Sequence, residues 1–95
     1  MKTRLSLTTR FLPAEHTITK FLDSETFVFD TKKLKVHLLN ETAALVWRSI
    51  NKKYSVGEII KKVCDEYEVS GEKAEKDLFE LLEKYLDQKI IVVKK

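Results

Sequence analysis

Hydrophobic and polar residues alternate with a period of two in three short stretches of the first half of the chain. Residues 16–22, 26–30 and 34–39 are rich in β-branched, aromatic or leucine side chains, and polar turns at residues 23–25 and 30–33 separate them. Strands joined by such short turns usually pair in antiparallel order. The pattern predicts a three-stranded antiparallel sheet in this half of the chain.

The third of these stretches has the most regular alternation. Leu34, Val36 and Leu38 fall on one face of the predicted strand, and Lys35 and His37 fall on the other. Because the alternation places His37 opposite Val36, we expect the His37 side chain to face solvent.

A helical pattern begins at the residue where this alternation ends. The Asn40 side chain can accept a hydrogen bond from one of the first free N–H groups of a helix. Ala43, Trp47 and Ile50 then fall on one helical face. The sequence predicts a first helix over about residues 41–51, joined to the strand without a loop, with Trp47 anchored in the core.

Two further amphipathic helices and a short apolar tail complete the chain. Ser55 and Glu58 have the spacing of a capping box at the start of the second helix, and the third and longest helix begins after Ser70. Residues 90–93 would form a final short strand. Residues 1–15 show no sustained period, so we expect an irregular N-terminal segment.

This order of elements predicts an α+β fold. It consists of an N-terminal three-stranded antiparallel sheet, three helices and a short C-terminal strand, and we expect one domain over residues 1–95. The chain has no run near the roughly 18 apolar residues of a membrane span. The single cysteine, Cys64, cannot form an internal disulfide. We therefore expect a cytoplasmic protein.

The net charge of +3 is unevenly distributed along the chain. Residues 1–53 hold ten Lys or Arg and five Asp or Glu, a balance of +5, whereas residues 54–95 hold eight and ten, a balance of −2. Acidic ligands should therefore be attracted toward the sheet. Along the third helix, we expect Glu80 to pair with Lys84 one turn later.

Several segments resemble the PqqD family, small winged-helix-like domains that are also called RiPP recognition elements. The most specific is LNETAALVW at residues 39–47, and SVGEII (55–60), YEV (67–69), AEKDL (74–78) and LL (81–82) also match. The resemblance covers about residues 16–93. Members of that family bind the leader of a ribosomally made precursor peptide and deliver it to a modifying enzyme, typically a radical SAM protein. The name-giving member serves pyrroloquinoline quinone biosynthesis.

The resemblance implies a non-catalytic adaptor that captures a leader peptide by strand addition. The leader would pair with the free edge of the third predicted strand and pack against the third helix. No cofactor or metal is expected, and the same edge could pair with a second copy of the chain. The expected pairing residues are Lys33, Leu34, Lys35, Val36, His37 and Leu38, and the expected apolar floor is Leu78, Leu81, Leu82 and Tyr85.

Two places differ from the family pattern, which has a glycine after the first helix and another after the third. The chain has Asn51 followed by two lysines at the first place, and Gln88 and Lys89 at the second. Because asparagine tolerates a left-handed backbone better than most residues, we expect Asn51 to take this role at the end of the first helix. Lysine does not share this tolerance, so the sequence does not predict how the third helix ends at Lys89.

Two functions of other classes compete with the adaptor. A DNA-binding winged helix has the same helical order, but residues 70–88 carry a charge balance of −3, which disfavours contact with phosphates. An enzyme would need an activated nucleophile, yet Cys64 lies on the apolar face of the second helix, where a thiol is inert. His16 and His37 share no metal-ligand spacing with Cys64.

Overall fold

The computed structural model of the chain describes residues 6–94. Its element order agrees with the predicted α+β class, with a three-stranded antiparallel sheet before three helices and a short strand at the end. The elements are β1 (Phe11–Pro13), β2 (Thr17–Leu22), β3 (Glu25–Asp30), β4 (Lys35–Leu39), α1 (Glu41–Asn51), α2 (Val56–Tyr67), α3 (Gly71–Asp87) and β5 (Ile91–Val93). The three strands predicted from the alternation are β2, β3 and β4.

The strands form two separate sheets. The larger sheet has the order β2-β3-β4, and the smaller one pairs β1 with β5. Phe11 lies opposite Val93 in this second pair. The prediction of an irregular segment over residues 1–15 is therefore wrong for β1, and residues 1–5 lie outside the described part. A strand of three residues is too short to show a period, and its partner is distant in sequence.

The hydrogen bonds between β2 and β3 fix the direction in which the β4 backbone groups point. The Thr31 N–H donates to the His16 carbonyl across this pair at 2.9 Å. Successive residues of a strand direct their N–H and C=O groups to opposite sides. Thr31 directs its groups to β2, so Val28, three residues earlier, directs its groups to β4. The partner of Val28 in β4 is His37. The N–H and C=O of His37 therefore bind β3.

The core lies between the inner face of the larger sheet and the helices. Its largest fully buried side chain is Trp47, whose Nε1–H donates to the Thr19 hydroxyl at 2.8 Å. This bond satisfies the only polar atom of the indole and ties α1 to β2. The structure thus confirms Trp47 as the core anchor. Other fully buried apolar side chains are Phe11, Val28, Val46, Ile50, Val56, Ile59, Leu82, Ile90 and Ile91.

All three predicted helix starts are confirmed. The Asn40 Oδ1 accepts a hydrogen bond from the Ala43 N–H at 2.8 Å, which joins β4 to α1 without a loop. Ser55 and Glu58 form the capping box of α2, and Ser70 caps α3. Each cap satisfies backbone donors that a helix start leaves free, and each contributes about 1 kcal/mol.

The helix ends differ from the expectation. Asn51 belongs to α1, and the left-handed backbone occurs at Lys53, with φ of 64°. Lys89 has the same conformation, with φ of 62°. After α3, Ile90 N–H donates to Tyr85 O and Lys89 N–H donates to Leu86 O. This pair of bonds is a Schellman motif, so α3 ends as it would with glycine and β5 follows at once.

Candidate functional site

The outer edge of β4 is unpaired. Within residues 6–94, β4 pairs only with β3, and the N-terminal and C-terminal segments pair with each other as β1 and β5. Because His37 binds β3, its neighbours Val36 and Leu38 direct their N–H and C=O groups away from the sheet. An unpaired edge of this kind presents alternating donors and acceptors to another extended chain.

The apolar residues Val36 and Leu38 lie on the outer face of β4 and His37 lies on the inner face, which reverses the expectation that His37 faces solvent. Val36 is 57% exposed and Leu38 is 60% exposed, on the face of the sheet that points away from the helices. His37 lies on the inner face, since it is paired with the fully buried Val28, and its Nε2 is buried. The expectation that His37 faces solvent is therefore wrong.

A cavity lies between β4 and the C-terminal half of α3, directly inside the free edge. Its volume is about 260 Å³. Two of the expected floor residues, Leu81 and Tyr85, line it. We call it the β4–α3 cavity, and its other lining includes His37, Asn40, Lys84 and Gln88. Sequence reasoning missed Gln88 as a site residue, although its position one turn after Lys84 places it on the same helical face.

The polar part of this cavity is incompletely satisfied. The His37 Nε2 and the Gln88 Oε1 are buried, and neither has a hydrogen-bond partner among the described residues. Burial lowers the pKa of His37 from its usual 6.5, so its imidazole is neutral at pH 7. Lys33 lies close by, and its Nζ donates to the Gln88 carbonyl oxygen at 3.2 Å.

Asp30 fixes the loop that precedes β4. Its carboxylate is buried, and the Oδ1 accepts hydrogen bonds from the N–H groups of Lys32 and Lys33, both at 3.0 Å. The Lys33 N–H is the main reason why the pKa of Asp30 lies below its usual value. Sequence reasoning missed this role, although an aspartate before three polar residues is a typical start of a turn. Asp30 therefore sets where β4 begins.

A second cavity, also of about 260 Å³, lies among the three helices. We call it the interhelical cavity. It is mostly apolar, with Val46, Val63 and Tyr67 in its wall. Leu81 lines both cavities and forms the ridge between them. The charged groups at its rim, Lys73 and Asp77, pair with each other at 3.0 Å.

The remaining expected site residues are dispersed. Leu34 belongs to the loop before β4, with φ of 56° and a highly exposed side chain. Leu78 lines the interhelical cavity, whereas Leu82 is fully buried in the core and lines neither cavity. Burial raises the pKa of the Tyr85 hydroxyl to about 12, so this group stays protonated beside the β4–α3 cavity.

The expected ion pair between Glu80 and Lys84 does not form. Among the described residues, α3 contains one ion pair, between Lys73 and Asp77, and the Lys84 ammonium group has no carboxylate partner. Lys84 is therefore a solvent-exposed cation at the mouth of the β4–α3 cavity.

In residues 6–94, no group of three His, Cys, Asp or Glu side chains is arranged to hold a metal ion. Cys64 is partly buried and packs against the core. None of the helices described is long and apolar enough to cross a membrane.

Comparisons with known proteins give one family and two similar structures. The sequence model of a family described as coenzyme PQQ synthesis protein D (PqqD) matches residues 25–91. Curated protein sequences give no match. TbiB1, solved in complex with the TbiA(beta) leader peptide, is 18% identical, with a TM-score of 0.80 over 84% of this chain and 93% of its own. Lasso peptide synthetase B1, complexed with the leader peptide, is 22% identical, with a TM-score of 0.74 over 90% and 99%. At these identities, the similarity establishes a shared fold.

Proposed function

Because the chain belongs to the PqqD family, we propose that it is a non-catalytic adaptor that binds the leader of a ribosomally made precursor peptide. The leader would add to the free edge of β4 as a fourth strand of the larger sheet. The observation that carries this proposal is the position of that unpaired edge beside the β4–α3 cavity. The two structural neighbours were solved with leader peptides bound, which supports the same role here.

The bound leader would gain affinity from its backbone. The N–H and C=O groups of Val36 and Leu38 point outward and would each complete a hydrogen bond with the guest strand. A typical bond of this kind contributes about 0.5–1.5 kcal/mol net. The free edge therefore supplies affinity for an extended peptide without regard to its sequence.

Selectivity would come from the guest side chains that alternate toward the helices. A side chain on the inner face of the added strand would enter the β4–α3 cavity, where Leu81 and Tyr85 provide apolar surface. A second side chain of the leader, apolar and positioned on the far side of Leu81, would fill the interhelical cavity. We thus keep Leu81 and Tyr85 as the floor of the site, and we assign Leu78 to the second cavity and Leu82 to the core.

The proposal also covers the domain, its location, the partner enzyme and the pathway. We propose that residues 1–95 act as one peptide-binding domain in the cytoplasm and that the partner is a radical SAM or other peptide-modifying enzyme. The pathway would be pyrroloquinoline quinone biosynthesis or that of another peptide product of the same class. A second copy of the chain would compete for the β4 edge, so leader binding should favour the monomer.

The comparisons give no support to the DNA-binding alternative. A recognition helix relies on Lys and Arg for phosphate contacts, whereas α3 presents six carboxylates and three lysines between residues 70 and 88. The two structural neighbours are described with peptides. We therefore assign no nucleic-acid partner.

The experiment that tests the proposal uses a proline at the free edge. A synthetic leader, taken from a short precursor encoded beside the gene of this chain, is titrated into the labelled protein while the backbone amide signals are recorded. Val36→Pro removes an outward N–H without breaking the β3 ladder, so it should weaken binding by about tenfold or more. Val36→Thr keeps the N–H and should bind normally.

Phe21→Pro provides the matched control on the opposite edge of the same sheet. Phe21 lies in β2, is exposed, and alternates with the residues that bind β3, so its N–H also points outward. This variant should bind the leader as the parent chain does. Equal binding by folded Val36→Pro and by the parent chain would exclude strand addition at β4.

A further inference from the structure

The β4–α3 cavity contains two polar atoms that lack partners among the described residues and face the same space. The His37 Nε2 comes from β4 and the Gln88 Oε1 comes from the end of α3, and both are buried. A buried polar atom without a partner is unfavourable, and native structures rarely retain one without a reason. One guest side chain with hydrogen-bonding groups could bond to both His37 and Gln88. The Gln88 carboxamide can turn either its oxygen or its NH₂ group toward that side chain.

Three lysines lie near this cavity, together with one buried carboxylate. Lys33, Lys35 and Lys84 all lie close enough to His37 to disfavour its protonation, whereas the Asp30 carboxylate favours it. Lys84 lines the cavity and has no carboxylate partner among the described residues. The buried Asp30 carboxylate lies in the preceding loop and does not line the cavity; its Oδ1 accepts two backbone hydrogen bonds, and its Oδ2 has no partner among the described residues.

No aspartate or glutamate of the described chain lines the β4–α3 cavity. The interhelical cavity differs, because its Lys73 and Asp77 neutralise each other. Lysine charges beside a partly desolvated space interact most favourably with a carboxylate that also accepts hydrogen bonds. The cavity therefore combines unsatisfied polar atoms with unpaired positive charge.

We infer that the β4–α3 cavity selects an aspartate or glutamate side chain of the leader. This inference rests on the proposed function, because only a strand added at β4 delivers a side chain to the inner face at His37. The guest carboxylate accepts hydrogen bonds from the Lys84 ammonium group and from the imidazole and carboxamide of His37 and Gln88. Lys33 and Lys35 contribute longer-range attraction, which agrees with the positive balance of the strand half of the chain.

The test begins with a displayed library of random twelve-residue peptides selected on the full chain. Binders should share Asp or Glu at one position, and replacing that residue in a synthetic binder by Asn or Gln should weaken binding by about tenfold to a hundredfold. Lys84→Met should weaken the acidic peptide by a similar factor. The two changes combined should cost little more than either alone, because they remove the same interaction.

Lys76→Met is the matched control, because Lys76 is an exposed lysine of the same helix that does not line the cavity. Its affinity for the acidic peptide should equal that of the parent chain. Lys84→Glu should shift the selected residue from Asp or Glu to Lys or Arg. Lys84 is exposed, so these variants should fold, and circular dichroism checks this.

The outcomes separate the two claims. If no selected peptide loses affinity on Val36→Pro, strand addition at β4 fails and the proposed function fails with it. If the peptides depend on Val36 but show no acidic position, only the inference is overturned. An acidic preference that persists in both Lys84 variants overturns the inference as well.

Discussion

The rings of Tyr85 and Trp47 form a T-shaped pair, with their centroids 5.8 Å apart and their planes at 89°. The two residues connect the β4–α3 cavity, which Tyr85 lines, with the centre of the core, where Trp47 is fully buried. An edge-to-face aromatic pair contributes energy beyond the area it buries. The position of the cavity wall is therefore coupled to the packing of α1.

We predict a favourable coupling between these two rings. In a double-mutant cycle of Trp47→Leu and Tyr85→Leu, the free energy of unfolding in urea should show a coupling of about 0.5–1.5 kcal/mol. Tyr85→Phe keeps the ring and should retain this coupling. Strictly additive losses in the cycle would mean that the edge-to-face contact contributes no specific energy.

Glycine should stabilise the chain at the two left-handed lysines. Lys53 and Lys89 have φ of 64° and 62°, where a side chain crowds the backbone. Lys53→Gly and Lys89→Gly should each raise the free energy of unfolding by about 0.5–1 kcal/mol, measured by urea denaturation. Lys52→Gly is the control, since Lys52 has an ordinary φ of −86°, and it should lower stability slightly.

The N-terminal strand should be essential to the core. Phe11 is fully buried although β1 has only three residues. Phe11→Ala should lower the free energy of unfolding by about 3–5 kcal/mol. The adjacent Leu12 is only partly buried, so Leu12→Ala should cost clearly less. A loss for Phe11→Ala in urea titrations as small as that for Leu12→Ala, below about 1 kcal/mol, would mean that β1 is peripheral.

Stability should decrease on mild acidification because of His37. Burial lowers the pKa of His37 in the folded chain, so the unfolded chain binds more protons once the pH falls below about 6.5. The free energy of unfolding should therefore decline from pH 6.5 downward until the folded-state pKa is reached. His37→Gln should flatten this part of the pH profile.

Asp30 should account for part of a second, more acidic decline. Its pKa lies below the usual 3.8 because the Lys33 N–H stabilises the charged form. The stability that it provides is present above pH 3.8 and is lost as the pH falls through the folded-state value. Asp30→Asn should weaken this dependence, as thermal melts between pH 2 and 5 can determine. An unchanged acid profile would mean that Asp30 gains nothing from the loop.

The sequence predicted the elements well because local signals determine them. Asn40, Ser55 and Ser70 each precede an apolar period of 3.6 and satisfy local donors, so the helix starts do not depend on distant contacts. The alternation in residues 34–39 likewise predicted a strand. These signals are complete within a few residues of the chain.

Features that depend on distant partners were not predictable in the same way. Alternation gives the period of β4 but not which face is inside, and the pairing of His37 with Val28 decides that point. The helical period placed both Leu81 and Leu82 on the apolar face of α3. In the structure Leu82 is buried in the core, whereas Leu81 lies at the edge of that face, beside β4. The site is therefore built at the boundary of an apolar stripe, where the pattern itself is ambiguous.

The pairing of β1 with β5 has a mechanical consequence. Phe11 and Val93 are partners at one end of this ladder, and beyond them the Thr9 carbonyl accepts a hydrogen bond from the Val56 N–H at the start of α2. A force that separates residues 6 and 94 would open these contacts and then the ladder, one residue pair after another, before any load reached the three-stranded sheet. A leader held at β4 would therefore stay bound while the ends of its carrier are pulled.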